Sequence, residues 1–253
     1  MSKESITVLI PAYNEENVIS ITTLELKTYL DSLKHKNLIS EFEIIICVNG
    51  STDNTEKIAN ELSKKYKEIR YFAIKGKGMG LALREGIRRA KKDIITFIAA
   101  DGEVLNQFIE QAISALKAYD FISGSRYLIK SQVRGSNLAR RFLSIGFSYF
   151  IRIFFSWNFT EVGTIKVFRR NWAQKISRKC KRDDPSWQVE MLYYALTSNL
   201  RVKEIPVCIK IKRASDESKV RIFKEIYFFF KITVKYSILL RLYQIKKMLG
   251  FKY

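Results

Sequence analysis

The sequence predicts an α/β protein in which helices cover both faces of a mostly parallel central sheet. Short apolar runs rich in β-branched residues alternate along the chain with stretches of helical periodicity. The strongest runs, at residues 6–10, 42–48 and 94–99, are each followed by a polar loop that contains a turn-forming residue. Strands without an alternating polar face are typical of a sheet buried on both sides. The chain has 253 residues, 47% of them apolar, which suffices for one large domain and an appendage.

The first half of the chain repeats a unit of strand, loop and helix. The predicted elements, in order, are a strand at 6–10, a helix at 17–34, a strand at 42–48, a helix with Ile58, Ala59 and Leu62 on one face, a strand at 70–73, a helix ending near Ala90, a strand at 94–99, a helix at 104–117 and a strand at 121–123. Asp53 or Thr55 is expected to cap the second helix.

The second half is less regular. An apolar, aromatic-rich run at 142–159, interrupted by Arg152, predicts a helix that is either buried in the core or lies on a bilayer surface. A strand at 164–168, a helix capped by residues 183–188, and an edge strand at 202–209 interrupted by Pro206 complete the prediction.

Two acids, Asp101 and Glu103, follow the predicted central strand directly. Ligands of open α/β sheets bind beyond the carboxyl ends of the strands, and paired carboxylates there can hold a hard divalent cation that grips phosphates. The alternative is a surface turn with two solvated acids, which these two residues alone do not exclude.

A glycine loop at residues 76–80 surrounds Lys77 at a predicted helix start. It lacks the spacing of a P-loop, and no dinucleotide fingerprint follows the first strand. Three glycines and a lysine can nevertheless present backbone N–H groups and a positive charge to an anion. Alone, the loop is a weak indication of a ligand.

The net charge of +20 requires an anionic partner, whether nucleic acid, anionic lipid or a phosphorylated substrate. The three cysteines are scattered without metal-ligand spacing, which favours a reducing compartment. A single histidine, His35, argues against histidine-based metal or triad chemistry. Residues 1–5 lack the apolar stretch of a signal peptide.

Half of this charge surplus lies in the last fifth of the chain, where residues 201–253 contain 14 Lys and Arg against 4 Asp and Glu. Aromatic and aliphatic residues alternate there with lysines that are too frequent for a transmembrane helix. The composition of residues 221–253 favours a basic amphipathic helix on a membrane surface. The alternative is a core helix with a solvated cationic face.

Several motifs, in their order and spacing, resemble family 2 glycosyltransferases of the GT-A fold, specifically the polyprenyl-phosphate or dolichyl-phosphate hexose synthases. The matching segments are Ile10-Pro11-Ala12-Tyr13-Asn14-Glu15, Asn49-Gly50-Ser51-Thr52-Asp53-Asn54-Thr55, Lys77-Gly78-Met79-Gly80 with Ala82 and Gly86, Ala99-Ala100-Asp101-Gly102-Glu103, Gly124-Ser125-Arg126, and Arg213 with Ser218-Lys219. The resemblance covers about residues 5–220. Two positions depart from the family pattern, since Val48 and Asn49 stand where paired acids are usual and Ala99 stands for the first acid of the metal motif.

The resemblance implies a role for each motif. The implied catalytic residues are Asp101, Arg213 and Lys219; the donor-binding residues are Pro11, Tyr13, Asn14, Glu15, Asn49, Asp53, Lys77, Gly78 and Ala100; the acceptor-binding residues are Arg126, Arg134, Arg140, Arg141 and Glu190; and the ligands of Mg²⁺ or Mn²⁺ are Asp101 and Glu103. A GT-A domain at 1–220, with a donor half at 1–126 and an acceptor half at 127–220, would precede the tail at 221–253.

The activity implied is metal-dependent, inverting transfer of a hexose from a nucleotide sugar, of the GDP-mannose or UDP-glucose type, to a polyprenyl or dolichyl phosphate. The enzyme would be cytoplasmic and peripheral to the cytoplasmic face of a membrane, with an anionic membrane surface as partner. The alternatives are a family 2 enzyme that uses a sugar hydroxyl in glycan synthesis, a catalytically degenerate relative, and, remotely, a nucleic-acid-binding protein. No nucleic acid is expected, because the basic residues interleave with bulky aliphatic ones and no nucleic-acid-binding motif occurs.

Overall fold

The computed structural model describes residues 3–100, 102–104, 107–128, 149–150, 152–153, 159–161, 163–207, 209–211 and 219–250. The strands are β1 (Ile6–Ala12), β2 (Phe42–Asn49), β3 (Ile69–Ile74), β4 (Ile94–Phe97), β5 (Gly102–Val104), β6 (Phe121–Ser125), β7 (Lys166–Arg169), β8 (Val202–Pro206) and β9 (Ile209–Ile211). The helices are α1 (Ile19–His35), α2 (Thr55–Lys65), α3 (Met79–Arg89), α4 (Gln107–Ala115), α5 (Arg170–Ser177), α6 (Trp187–Thr197) and α7 (Lys219–Met248).

The first four strands form a parallel block of a seven-stranded sheet with the order β3-β2-β1-β4-β7-β6-β8. β1 pairs in parallel with β2 on one side and with β4 on the other, and β3 continues the sheet beyond β2. Every residue of β2 and of β4 is buried, as expected of strands covered on both faces. The predicted α/β class with a mostly parallel sheet is confirmed, and β4 is the middle strand.

The remaining strands give the sheet a mixed character. β7 is antiparallel to both β4 and β6, whereas β6 and β8 are parallel to each other. β8 lies at the edge of the sheet, where the strand interrupted by Pro206 was expected, and Pro206 is its last residue. Proline has no backbone N–H to donate to a neighbouring strand. It is tolerated at a sheet edge because one side of an edge strand has no neighbour to accept that hydrogen bond.

Two predicted element boundaries were wrong. Val104 was expected to begin a helix, but it ends β5, and α4 begins only at Gln107. The predicted strand at 202–209 is divided, because β9 pairs antiparallel with β5 in a separate two-stranded sheet. Both differences come from strand pairing between segments far apart in the chain, which local periodicity cannot reveal.

The core consists of two layers, one on each face of the sheet. Successive residues of a strand point to opposite faces, so the consecutive residues Val8 and Leu9 of β1 lie in different layers. Val8 belongs to the layer that α1, α2 and α4 cover, whereas Leu9 belongs to the layer formed with α3, α5, α6 and α7.

The long C-terminal helix α7 belongs to the second layer. Its buried residues recur every three or four positions, so that α7 lays one stripe against the domain. Over residues 229–248, where burial is described, they are Ile232, Thr233, Tyr236, Ser237 and Leu240. The predicted boundary between residues 220 and 221 falls within α7, near its start. Among the described residues, no helix combines the length and the apolar character needed to cross a membrane.

Candidate functional site

The loops that follow β1, β2, β3 and β4 meet at one edge of the sheet, because these four strands are parallel neighbours. The strand order runs from β1 in both directions, towards β2 and β3 on one side and towards β4 on the other. Ligands of open α/β sheets bind in the crevice at such a switch point. Most of the predicted donor-binding residues lie in these loops.

The loop after β1 is held against the loop after β2 by side-chain hydrogen bonds. The Asn14 side-chain oxygen accepts from the Thr52 backbone N–H at 2.8 Å, and the Asn14 N–H donates to Ser51 Oγ at 3.1 Å. Asn14 has a φ of 54°, in the left-handed region that asparagine tolerates better than most residues. The Glu15 N–H donates to Thr55 Oγ1 at 2.8 Å. The backbone and side chain of Asn14 and the backbone of Glu15 therefore fix the shape of this crevice.

Asp53 has a structural part in the same crevice. One of its carboxylate oxygens accepts from the Thr55 N–H at 3.0 Å and from Thr55 Oγ1 at 2.6 Å, and the other accepts from the Glu16 N–H at 3.1 Å. Burial raises the pKa of Asp53, but these hydrogen bonds outweigh it and hold the pKa below its ordinary value. Asp53 is therefore an ionised anchor between the first two loops at neutral pH.

Tyr13 and Lys77 form a polar pair at the same edge. Lys77 Nζ donates to the Tyr13 hydroxyl at 2.9 Å and lies 5.0 Å from the centroid of the Tyr13 ring. The predicted contact residues of the β1 loop and of the glycine loop are thus adjacent. A cation beside an exposed aromatic ring suits a ligand that combines a planar base with phosphates.

Asn49, the last residue of β2, joins β1 to the glycine loop. With its amide nitrogen turned towards β1, Asn49 donates to the Ala12 carbonyl at 2.5 Å and accepts from the Gly78 N–H at 3.2 Å. The side chain is 4% exposed. A carboxylate could accept from Gly78 but could not donate to Ala12, which gives a physical reason for an amide where the family usually has an acid. Contact between Asn49 and a donor stays a prediction.

The glycine loop packs against residues 181–184, here called the Asp183 loop. The Gly80 and Leu81 N–H groups donate to the Asp183 carbonyl at 2.7 and 3.3 Å. A Cβ atom on Gly78 would lie 2.4 Å from that same carbonyl oxygen, and one on Gly80 would lie 2.5 Å from the Arg182 oxygen. The glycines therefore permit two backbones to approach closely. The Gly80 and Leu81 N–H groups are therefore not available to an anion, because the Asp183 carbonyl accepts from both.

The predicted metal ligands follow β4 in the sequence. Asp101 and the Glu103 side chain lie outside the described residues. The preceding residue Ala100 is buried, and its carbonyl accepts from Thr22 Oγ1 at 2.7 Å, which fixes the chain on the α1 side of the crevice. Within the part of the chain that the structure describes, no group of three or more His, Cys, Asp or Glu side chains could hold a metal ion. Asp101 and Glu103 follow Ala100 in the sequence, and their carboxylate oxygens are the kind of ligand that Mg²⁺ and Mn²⁺ require.

Arg126, which was predicted to bind the acceptor, is described and is paired. Its Nε donates to Glu161 Oε1 and its backbone N–H donates to Glu161 Oε2, both at 2.8 Å. The Glu161 side chain is almost fully buried, whereas about two fifths of the Arg126 side chain is exposed. The guanidinium is thus held in one orientation with part of its surface accessible. The other predicted cations, Arg134, Arg140, Arg141, Arg213 and the Lys219 side chain, lie outside the described residues.

Next to Arg126 lies a buried polar cluster that the sequence analysis missed. Glu204 accepts from the Thr160 and Glu161 N–H groups at 2.9–3.0 Å, and Lys166 Nζ donates to Ser123 Oγ and to the Thr164 carbonyl at 3.0 Å. Burial raises the pKa of Glu204 to about 7 and lowers that of Lys166 to about 8. The one local signal was a lysine inside the apolar strand pattern at 165–168.

Glu190 lies inside the protein, 2% exposed, and is not grouped with Arg126. Its Oε2 accepts from the Lys181 and Arg182 N–H groups at 2.9 and 2.8 Å, and its Oε1 accepts from the Tyr236 hydroxyl at 2.6 Å. Three hydrogen bonds occupy this carboxylate, and they connect α6 to the Asp183 loop and to α7. Contact between Glu190 and an acceptor stays a prediction.

The sequence and the fold are those of a known protein family. Residues 7–177 match the model of glycosyl transferase family 2, and the chain is a member of that family with a GT-A fold. The enzyme class, a glycosyltransferase, is therefore established.

Individual relatives are similar over most of this chain. It is 30% identical over 217 residues to the dolichyl-phosphate beta-glucosyltransferase ALG5C of Trichomonas vaginalis, covering 79% of this chain and 62% of that protein. It is 29% identical over 213 residues to the uncharacterised protein MJ1222 of Methanocaldococcus jannaschii, covering 82% of each chain. The glycosyltransferase AglD of Haloferax volcanii is 25% identical over 210 residues, but only 32% of its length is spanned. The chain thus spans less than two thirds of ALG5C and of AglD.

Solved structures show the same fold. Glucosyl-3-phosphoglycerate synthase of Mycobacterium tuberculosis, in complex with Mn²⁺, UDP and phosphoglyceric acid, superposes with a TM-score of 0.67 at 14% identity, covering 92% of this chain and 78% of that one. The same enzyme with Mg²⁺ and UDP gives a TM-score of 0.64 at 15% identity, covering 92% and 79%. At this identity the likeness concerns the fold alone.

Proposed function

We propose that the protein is an inverting glycosyltransferase that moves a hexose from a nucleotide sugar to a polyprenyl or dolichyl phosphate at the cytoplasmic face of a membrane. Family membership supports the nucleotide-sugar donor. The relative whose name specifies a dolichyl-phosphate glucosyltransferase supports the lipid acceptor. The observation that carries the membrane part of the proposal is the outer face of α7.

That outer face is apolar although the helix is already packed against the domain on its other side. Successive residues of an α-helix are about 100° apart, so the exposed apolar residues of α7 fall within an arc of about 120°, opposite its buried stripe. Within residues 229–248, the part of α7 whose exposure is described, these residues are Phe230, Ile238, Leu242, Ile245 and Met248. A helix that is apolar on two opposite faces has a second partner, because one face would otherwise remain in water.

Charge indicates what this partner is. Lys231, Lys235, Arg241 and Lys246 are exposed on the same helix, beside or between the apolar residues. Mixed basic and apolar residues are typical of helices that lie in the headgroup region of an anionic bilayer. The exposed Tyr149 and Ile153 belong near this surface, because the Ile153 carbonyl accepts from Arg241 at 2.9 Å.

The donor would bind in the crevice between the loops after β1, β2 and β3, with Tyr13 and Lys77 at its edge. Asp101 and Glu103 would hold Mg²⁺ or Mn²⁺, which when bound neutralises negative charge on the donor diphosphate. Arg213 and Lys219 would stabilise the nucleoside diphosphate as it departs. Charge grows on that leaving group in the transition state, so cations arranged in advance lower the barrier.

The environments of two acids, Glu190 and Asp184, also favour a phosphate acceptor. A sugar hydroxyl requires a general base, whereas a phosphate monoester arrives as an anion and requires none. Glu190 is buried under three hydrogen bonds. Asp184 is no better a base: burial raises its pKa, but hydrogen bonds from Ser186 and the Arg182 guanidinium outweigh this and hold the pKa low. Neither carboxylate is arranged as a base, while Arg126 offers an oriented cation to an anion.

The proposal is tested by incubating the protein with radiolabelled UDP-glucose, GDP-mannose and other nucleotide sugars, with Mn²⁺ or Mg²⁺, and vesicles that contain polyprenyl phosphate. We expect one donor to yield radioactivity that is extracted with the lipid and that disappears when the cation is chelated. Hydrolysis of the donor without a lipid product, or lipid labelling that survives chelation, would contradict the acceptor or the metal part respectively.

A further inference from the structure

We propose that Glu190 is a positioning residue for donor binding, and that its hydrogen bonds to Tyr236 of α7 and to the Asp183 loop fix the shape of the glycine loop. This inference rests on the proposed function for its donor. It also makes a purely structural claim that can be tested without a donor.

The first link joins α7 to the Asp183 loop. Tyr236 is buried on the inner stripe of α7, and its hydroxyl donates to Glu190 Oε1 at 2.6 Å. Burial, followed by the hydrogen bond to Glu190, raises the pKa of Tyr236, so the phenol stays protonated and remains a donor. The other carboxylate oxygen of Glu190 accepts from two consecutive N–H groups, those of Lys181 and Arg182. A single carboxylate thus fixes the start of the Asp183 loop relative to α7.

The second link joins the Asp183 loop to the glycine loop. The Asp183 carbonyl accepts from two N–H groups in the first turn of α3, those of Gly80 and Leu81, which otherwise have no partner within the helix. The Arg84 side chain adds hydrogen bonds to the Arg182 carbonyl and to the Asp183 carboxylate. Because Gly78 and Gly80 have no Cβ, the two backbones are in direct contact, and a shift of one loop must move the other.

The third link reaches the donor crevice. The Gly78 N–H donates to Asn49, and Lys77, one residue earlier, donates to the Tyr13 hydroxyl. If Glu190 loses a hydrogen bond, the Asp183 loop is less restrained, and Lys77 and Tyr13 are held less firmly in one arrangement. In such a variant, nucleotide binding must also order Lys77 and Tyr13, which the native protein holds in place before the nucleotide binds. The cost of this ordering weakens the affinity, although every group that contacts the ligand is still present.

The test uses the full chain with Tyr236→Phe and Glu190→Gln as the perturbing variants. Leu240→Ala is the matched control, because Leu240 lies one turn further along the same buried stripe of α7 and makes no polar link. Two quantities are measured for each protein alongside its melting temperature: amide hydrogen exchange of a peptide that contains Gly80 and Leu81, and the affinity for UDP and for GDP in the presence of Mn²⁺.

We expect Tyr236→Phe and Glu190→Gln to accelerate exchange at Gly80 and Leu81 and to weaken nucleotide affinity about tenfold, the effect of one hydrogen bond to a charged group. Leu240→Ala should lower the melting temperature while it changes both quantities less than about twofold. Unchanged exchange at these amides in Tyr236→Phe and Glu190→Gln would overturn the inference, as would equal effects in Leu240→Ala. If the unmodified protein bound neither nucleotide, the proposed function would fail, and the exchange measurement alone would decide the inference.

Discussion

The outer face of α7 allows a quantitative prediction for membrane binding. Ile238 is 57% exposed and Leu242 is 49% exposed, so about half of each side chain remains to be buried. Complete burial of such a side chain contributes about 1.5–3 kcal/mol, which gives about 1 kcal/mol for each exposed half. Replacing both with serine should therefore cost about 2 kcal/mol of membrane binding, or roughly a thirtyfold change in the partition coefficient.

The assay is sedimentation with sucrose-loaded vesicles that contain a defined fraction of anionic lipid. The control is Ile21→Ser, because Ile21 on α1 is 55% exposed and so loses, away from α7, an apolar surface comparable to that of one of the two substituted residues. Circular dichroism should show a similar melting temperature for all the proteins, since none of the three side chains is part of the core. Deletion of α7 would be a poor substitute, because Tyr236 and Leu240 are buried against the domain.

The double variant Ile238→Ser, Leu242→Ser should remain largely in the supernatant at a lipid concentration that pellets the unmodified protein and Ile21→Ser. Equal sedimentation of all three proteins would refute the assignment of this face to a membrane. A loss that is as large in Ile21→Ser would show that general hydrophobicity, and not α7, determines binding.

Three further predictions concern the interior and the donor site. Asn49→Asp should lower the free energy of unfolding by about 1–3 kcal/mol, because the new carboxylate cannot donate to the buried Ala12 carbonyl; denaturant unfolding measures this, and unchanged stability would contradict it. Burial raises the pKa of Glu204 to about 7 from an ordinary 4.5, so the folded protein retains a proton that the unfolded chain has released. The free energy of unfolding should therefore fall by on the order of 3 kcal/mol as the pH rises from about 4.5 to 7. Glu204→Gln should flatten this pH dependence, and an identical slope in the variant would show that Glu204 is not its source. Asp101→Asn should reduce the transfer rate on the order of a hundredfold or more and Glu103→Gln much less, and unchanged turnover in Asp101→Asn would exclude Asp101 as the main cation ligand.

Much of the donor half could be predicted from the sequence because its signals are local. β1, β2 and β4 are predominantly apolar runs, and their ends are marked by loops whose polar residues, such as Asn14 and Asp53, do lie together in the structure. The first four strands were expected to run in the same direction because a helix connects each one to the next. These features need no information from distant parts of the chain.

What could not be predicted depends on contacts between distant segments. The glycines at 78 and 80 are required by the close approach of residues 182 and 183, which no pattern within 76–80 reveals. The family resemblance assigned Glu190 to acceptor binding, but its hydrogen-bond partners come from the Asp183 loop and from α7. The pairing of β5 with β9 was hidden for the same reason.

The most direct test of the proposed chemistry compares two acceptors that differ by one group. Polyprenyl phosphate and polyprenol, at equal concentration in the same anionic vesicles, are offered with the donor and cation that the nucleotide-sugar panel selects. A phosphate acceptor needs no general base, whereas an alcohol does, so we predict hexose transfer to polyprenyl phosphate, with a product mass greater by one hexosyl unit, and no transfer to polyprenol. Transfer to the alcohol but not to the phosphate would contradict it and assign the protein to the hydroxyl-acceptor class.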